Sequence, residues 1–179
     1  MKMKSGNDKS RGCFKVKEQG FTLVELLIVM TIVGTLAVIA TISFNKMTIK
    51  SNIESQIKQM HSDLMTARIW AMDRSTCHFV LLKANGSYTV YEDSNNYCSN
   101  LTPPDNDTMQ LQRTMTNPIL FNNAAPTNNV YPIFDNRGLA TITGTISIPD
   151  TVGAAYDCIL IETTRTSMGL MTGGNCVPK

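Results

Sequence analysis

The chain has 179 residues, 42% of them hydrophobic, and a formal net charge of +2, which gives room for one modest globular domain. The charge is uneven: residues 1–20 hold six of the Lys and Arg residues and two of the acids, a net of +4, so the remainder stands at −2. The basic balance is therefore local and is no argument for nucleic-acid binding. A Gly-rich phosphate loop, G-x-S-x-G, C-x-x-C and paired His are all missing, so the common enzyme readings have nothing to stand on and no catalytic, cofactor or metal residue is assigned.

Taken in chain order, the first segment is a basic leader, residues 1–20, containing Cys13. Its Lys and Arg would hold the N-terminus in the cytoplasm and send the C-terminal part of the chain outward. From Phe21 to Ile42 the chain is almost wholly apolar, and about 22 residues at about 1.5 Å each span the roughly 30 Å of bilayer hydrocarbon. The ionisable residue in this run is Glu25, whose carboxylate costs about 2.5–3.5 kcal/mol in hydrocarbon on insertion scales. Lys15 and Lys17 lie on the far side of Gly20, and Lys46 is too far along a helix to reach back. The helix itself offers Glu25 no partner.

A basic leader, Gly20, Phe21, Glu25 four residues further on, and then an apolar helix together resemble the type III signal of the type IV pilin superfamily. The resemblance implies that a prepilin peptidase cuts between Gly20 and Phe21 and methylates the freed amine of Phe21. Glu25 then becomes the fifth residue of the mature chain, and its carboxylate pairs with the Phe21 amine of a neighbouring subunit. Cleavage, on this reading, creates the missing counter-ion. The implied partners are other pilin or pseudopilin subunits, the peptidase and an inner-membrane assembly platform. The implied location is the bacterial inner membrane, with the C-terminal domain periplasmic, and then the filament. A plain signal anchor needs neither Glu25 nor Gly20, and a secretory signal would carry an A-x-A-like site after the apolar run, where Asn45-Lys46-Met47 stands instead.

Beyond Ile42 the pattern becomes amphipathic, with Ile49, Ile53, Ile57, Met60, Leu64, Ala67 and Ala71 at three- and four-residue steps. Pro is missing before Pro103, so one helix is expected from Phe21 to about Arg74, with residues 43–74 its amphipathic continuation. Gly34 is its weak point, at about 1 kcal/mol relative to Ala. Trp70 borders the apolar stripe and is expected to cover the sheet edge. His61 and His78 are isolated from other ligand types and do not read as a metal site.

Residues 75–179 read as an antiparallel β domain. Strands are expected at Cys77–Lys83, Ser87–Glu92, Met109–Met115, Ile119–Phe121, Ile133–Phe134, Ala140–Thr143, Thr145–Ile148, Cys158–Glu162 and Thr166–Met171, with Asn85-Gly86 a strong hairpin signal. The fold class is thus α+β, and the resemblance implies a type IV pilin-like fold, with a long N-terminal helix, transmembrane in its first half, packed on an antiparallel sheet. The Phe134-Asp135-Asn136-Arg137-Gly138 turn and the two flanking hairpins resemble the GspH/FimT branch of minor pseudopilins and minor pilins. Some FimT-like proteins bind DNA through a Gly-Arg-x-Arg element; the matching hairpin here reads Thr163-Thr164-Arg165-Thr166-Ser167, with neither the Gly nor the second Arg. Asp105-Asn106-Asp107 offers too few carboxylates for Ca2+, and a solvated loop is the plainer reading.

The function expected is therefore a structural minor pilin or pseudopilin of a type II secretion pseudopilus or type IV pilus, with no catalysis. A DNA-binding minor pilin for uptake and a signal-anchored periplasmic binding domain are the alternatives. Four cysteines come after the leader, Cys77, Cys98, Cys158 and Cys176, an even number in a domain bound for an oxidising compartment. They allow three connectivities. The hairpin at Asn85-Gly86 sets Cys77 opposite a residue near Ser94, and one turning at Thr164 sets Cys158 opposite the region of Met171. The expected bridges are therefore Cys77–Cys98 and Cys158–Cys176, each worth about 3 kcal/mol through loop closure.

Overall fold

The structure is a computed structural model that describes residues 20–83, 85–94, 98, 107–127 and 130–179. Residues 1–19 of the leader, Asp105 and Asn106 of the candidate Ca2+ run, and most of the loop expected from Asp93 to Thr108 lie outside the described residues. The chain divides after Ile42 into two compact units, residues 1–42 and 43–179.

A helix, α1 (Leu23–Arg74), runs for 52 residues, two residues short of its expected start and ending where expected. Thr22 begins it: its Oγ1 accepts the Glu25 N–H at 3.2 Å, which satisfies one of the helix's orphan donors, and its carbonyl accepts the Leu26 N–H at 3.1 Å as the first intrahelical bond. Arg74 in the last turn faces the negative end of the helix dipole, and Ser75 then turns left-handed with φ 54° to stop the helix.

Within residues 43–179, the helix buries Ile53, Ile57, Met60, Leu64, Ala67 and Ala71, whereas Ile49, expected on the same stripe, stays 45% exposed. Burying an Ile, Met or Leu is worth about 1.5–3 kcal/mol, against a few tenths per residue for helix propensity, so packing decides which face turns inward.

Among the described residues nine strands come after it: β1 (His78–Leu82), β2 (Ser87–Glu92), β3 (Thr108–Thr114), β4 (Leu120–Phe121), β5 (Val130–Phe134), β6 (Gly144–Ser147), β7 (Cys158–Ile161), β8 (Thr166–Thr172) and β9 (Asn175–Pro178). They form two antiparallel sheets rather than one, ordered β3-β2-β1-β5 and β4-β6-β7-β8-β9. Val80, Leu82, Tyr88, Val90 and Phe134 of the first sheet and Ile146, Ile159 and Ile161 of the second share one core with the helix stripe. On the other face of the first sheet Phe79, Leu81 and Ile133 form a second cluster with Tyr91 and Ile142, so β1 is buried along its whole length. That two-sided burial is why its sequence is a continuous apolar run instead of an alternation.

Polar ties hold the helix to both sheets. Asp63, 6% exposed, accepts from Tyr88 Oη at 2.6 Å, from Arg113 Nε at 3.2 Å and from Gln59 Nε2 at 3.0 Å. Toward the second sheet, Ala155 N–H donates to Glu54 Oε1 at 2.8 Å and Arg68 Nη1 donates to the Thr164 carbonyl at 3.2 Å.

Three further expectations differ from the structure. Ala140–Thr143 is not a strand; Ala140 makes an isolated bridge to Phe134 where the chain leaves the Asp135–Gly138 turn. β9 comes after a two-residue turn at Gly173 and Gly174, with φ 58° and 85°, and lies beyond the last strand expected from the sequence. Trp70 does not cover a sheet edge, because β1, whose His78 it meets ring to ring at 6.1 Å, is an interior strand.

Candidate functional site: the capped apolar N-terminal segment

The residues that carry the signal chemistry lie together at the start of α1. Gly20 and Phe21 precede the helix, Thr22 is its N-cap, and Glu25 is its third residue. Thr22 and Glu25 thus occupy the two positions of a capping box, and Phe21 and Leu26 the two positions of a hydrophobic staple. Phe21, Leu26, Val29 and Met30 line one shallow apolar hollow. Sequence reasoning singles out Phe21 and Glu25 but not Thr22, whose signal is the Thr-x-x-Glu spacing just ahead of the apolar run.

Among the described residues neither packing nor backbone geometry requires Gly20: a Cβ there would meet nothing within 4 Å. The same is true of Gly34 in the middle of the apolar run.

Every side chain from Phe21 to Thr41 is exposed in the chain by itself, and the segment is long and apolar enough to cross a membrane. Its hydroxyls are already satisfied within the helix: Thr31 donates to the Ile28 carbonyl at 2.7 Å, Thr35 to Ile32 at 2.8 Å and Thr41 to Ala37 at 2.6 Å. Such internal bonds are what a polar side chain needs in hydrocarbon. Among the described residues no group pairs with the Glu25 carboxylate, so it is the polar group of this segment that lacks internal compensation.

The four cysteines beyond the leader lie in the other unit. Cys77 and Cys98 form a disulfide with Cα atoms 5.6 Å apart, and Cys158 and Cys176 form another at 5.9 Å. The registers that deliver them differ slightly from expectation: Cys77 accepts the Asp93 N–H, one residue before Ser94, and Cys158 lies opposite Gly169 rather than Met171. It is β9, pairing Cys176 with Met171, that returns the second cysteine. Among the described residues no group of three or more His, Cys, Asp or Glu is arranged to hold a metal.

The helix and its signal together make this a membrane-anchored chain with a prepilin-type N-terminus and an α+β fold. Residues 15–41 match the family model of the prokaryotic N-terminal methylation motif, a span that contains Gly20, Phe21, Thr22 and Glu25. Among solved structures, the minor pseudopilin EpsH from the type 2 secretion system of Vibrio cholerae is similar at a TM-score of 0.46 and 14% identity, over 65% of this chain and 95% of that one. No curated protein matches the chain.

Proposed function

We propose that this protein is a structural minor pilin or pseudopilin subunit, cut by a prepilin peptidase between Gly20 and Phe21, methylated on the Phe21 amine and assembled into a type IV pilus-like or type II secretion filament. The observation that carries this reading is the N-terminal methylation motif running straight into a capped, exposed apolar helix with an uncompensated Glu25.

Each step has a physical reason in the segment. Among the described residues nothing lies within 4 Å of a Cβ at Gly20, which supports the glycine's being there for an enzyme's recognition cleft. A cut after Gly20 leaves Phe21 and Thr22, and with them the staple and the cap, on the helix. The freed ammonium would lie beside the positive end of the helix dipole, an unfavourable place for a cation. The Glu25 carboxylate of a neighbouring subunit, itself costly in hydrocarbon, compensates it. Each charge supplies what the other lacks.

On this reading the leader faces the cytoplasm, the helix crosses the inner membrane and residues 43–179 are periplasmic before assembly. The protein performs no reaction; its partners are other subunits, the peptidase and the assembly platform. Replacing Glu25 tests the pairing. The Glu25→Ala chain should insert and fold like the wild type, because an apolar side chain is cheaper in lipid, yet fail to enter filaments when co-expressed with the wild-type machinery. Equal incorporation of both chains into sheared filaments would contradict it.

A further inference from the structure

The seam where α1 ends and β1 begins encloses a histidine that the assembly reading does not use. His78, the first residue of β1, is 0% exposed, and its Nε2 is buried without a hydrogen-bond partner. Its Nδ1 lies 3.3 Å from the Thr76 carbonyl, a geometry that places the proton of the neutral ring on Nδ1 and leaves Nε2 as a bare acceptor. The Trp70 ring stands over it, centroids 6.1 Å apart and tilted by 41°.

Charged groups approach this ring from several sides. Glu92 lies directly opposite His78 on β2, but its carboxylate is already occupied by Arg74 Nη1, by Thr76 Oγ1 at 3.2 Å and by Gln110 Nε2 at 2.8 Å. Arg74, at the end of the helix, brings a positive charge and also stacks on Trp70 at 5.6 Å. On β5 the residue opposite is Phe134, and the Asp135 next to it is held by Arg137 at 3.0 Å. The neutral ring fits. A second proton would place a donor and a charge where the acceptors are taken and a cation is already close.

We propose that His78 makes this seam a pH-sensitive joint: protonation of its Nε2 forces the ring away from Trp70 and loosens the contact between the end of α1 and the start of β1. Burial lowers the affinity of the ring for its second proton, the Thr76 carbonyl and Glu92 raise it and Arg74 lowers it again, with a net downward displacement. A lowered value means that the fold favours neutral His78. The stabilisation is therefore complete above the ordinary value of about 6.5 and is lost as the pH falls from there through the folded value.

Trp70 is the chain's one tryptophan, and His61 its one other histidine. Emission of the full-length protein in detergent micelles, measured from pH 8 downward, should show a reversible titration with a midpoint below about 6.5. The titration should persist in His61→Gln and be lost in His78→Gln. If His78→Gln titrated like the wild type, or His61→Gln abolished the change, the proposal would be overturned. Should His78→Gln not fold, imidazole nitrogen resonances of the wild type decide. The expected result is an Nδ1–H tautomer that protonates together with the Trp70 change; a His78 resonance that titrates with no change at Trp70 overturns the joint.

Discussion

A β-carbon added to Gly169 would stand 2.7 Å from the carbonyl carbon of Val177. Gly169 on β8 lies opposite Cys158 on β7 and opposite Pro178 on β9, so β8 separates the two strands whose cysteines are bonded. Strands two places apart in a flat sheet are about 10 Å apart, yet the Cα atoms of Cys158 and Cys176 are separated by 5.9 Å. β9 must therefore lean over the face of β8 toward β7, and it does so where β8 has no side chain. Gly169→Ala should destabilise the protein by about 1–3 kcal/mol, the usual cost of overpacking against atoms that cannot yield. Thermal unfolding with the disulfide intact measures it. An unchanged melting temperature would show that β9 does not need the glycine.

The Asp63–Tyr88 hydrogen bond should govern the alkaline limit of stability. Burial, then the hydrogen bond to Asp63 and its charge, push the Tyr88 phenol far above the ordinary tyrosine value, with Arg113 pulling weakly back. The fold thus favours the neutral phenol, so this contribution is complete below about pH 10 and is lost as the pH rises through the folded value. Tyr88 should ionise only as the protein unfolds in base, and that lagging phenol should vanish in Tyr88→Phe. Asp63 would keep Gln59 and Arg113, so Tyr88→Phe should cost about 1.5 kcal/mol, the low end for a hydrogen bond to a charged group. A lagging tyrosine that survives the substitution would contradict the assignment.

At the Asp135–Gly138 turn, backbone rather than contact should decide tolerance. Gly138 has φ 74° and donates its N–H to the Asp135 carbonyl at 2.8 Å, while the Asp135 carboxylate accepts from the amides of Arg137 at 3.0 Å and Leu139 at 2.8 Å. A Cβ at Gly138 would approach Met72 Cγ at 2.7 Å, but a methionine side chain can move aside. Gly138→Ala should cost about 1–2 kcal/mol from the left-handed backbone, and Gly138→Asn distinctly less. Equal shifts in the urea midpoint for the two would point to Met72 instead.

Legibility depended on how local each signal was. The helix was readable to within two residues because a proline-free chain with a three- and four-residue apolar step admits little else, and Asn85-Gly86 fixed the first hairpin with its Cys77 neighbourhood nearly in register. Thr22 is easily overlooked because an apolar run draws attention to its interior, although its Thr-x-x-Glu spacing marks the helix start. Gly173-Gly174 is an equally local signal for β9, hidden because the chain after it offers few apolar residues. The division into two sheets could not be read at all: it depends on which distant strands pair, and β5 joins β1 across some fifty intervening residues. The same holds for Gly169, whose need appears only once Val177 is laid over it. His78 looks solitary in the sequence because its ring partner, Trp70, is supplied by the preceding helix.

The N-terminus of the mature chain carries the central claim, and intact-mass and N-terminal peptide mass spectrometry of protein taken from the membranes of a prepilin-processing host reads it directly. The expected result is a chain beginning at Phe21 with one methyl group on its amine, with Gly20→Ala accumulating as uncut precursor. A wild-type chain that still carries its leader, or one cut after the apolar helix, would contradict it.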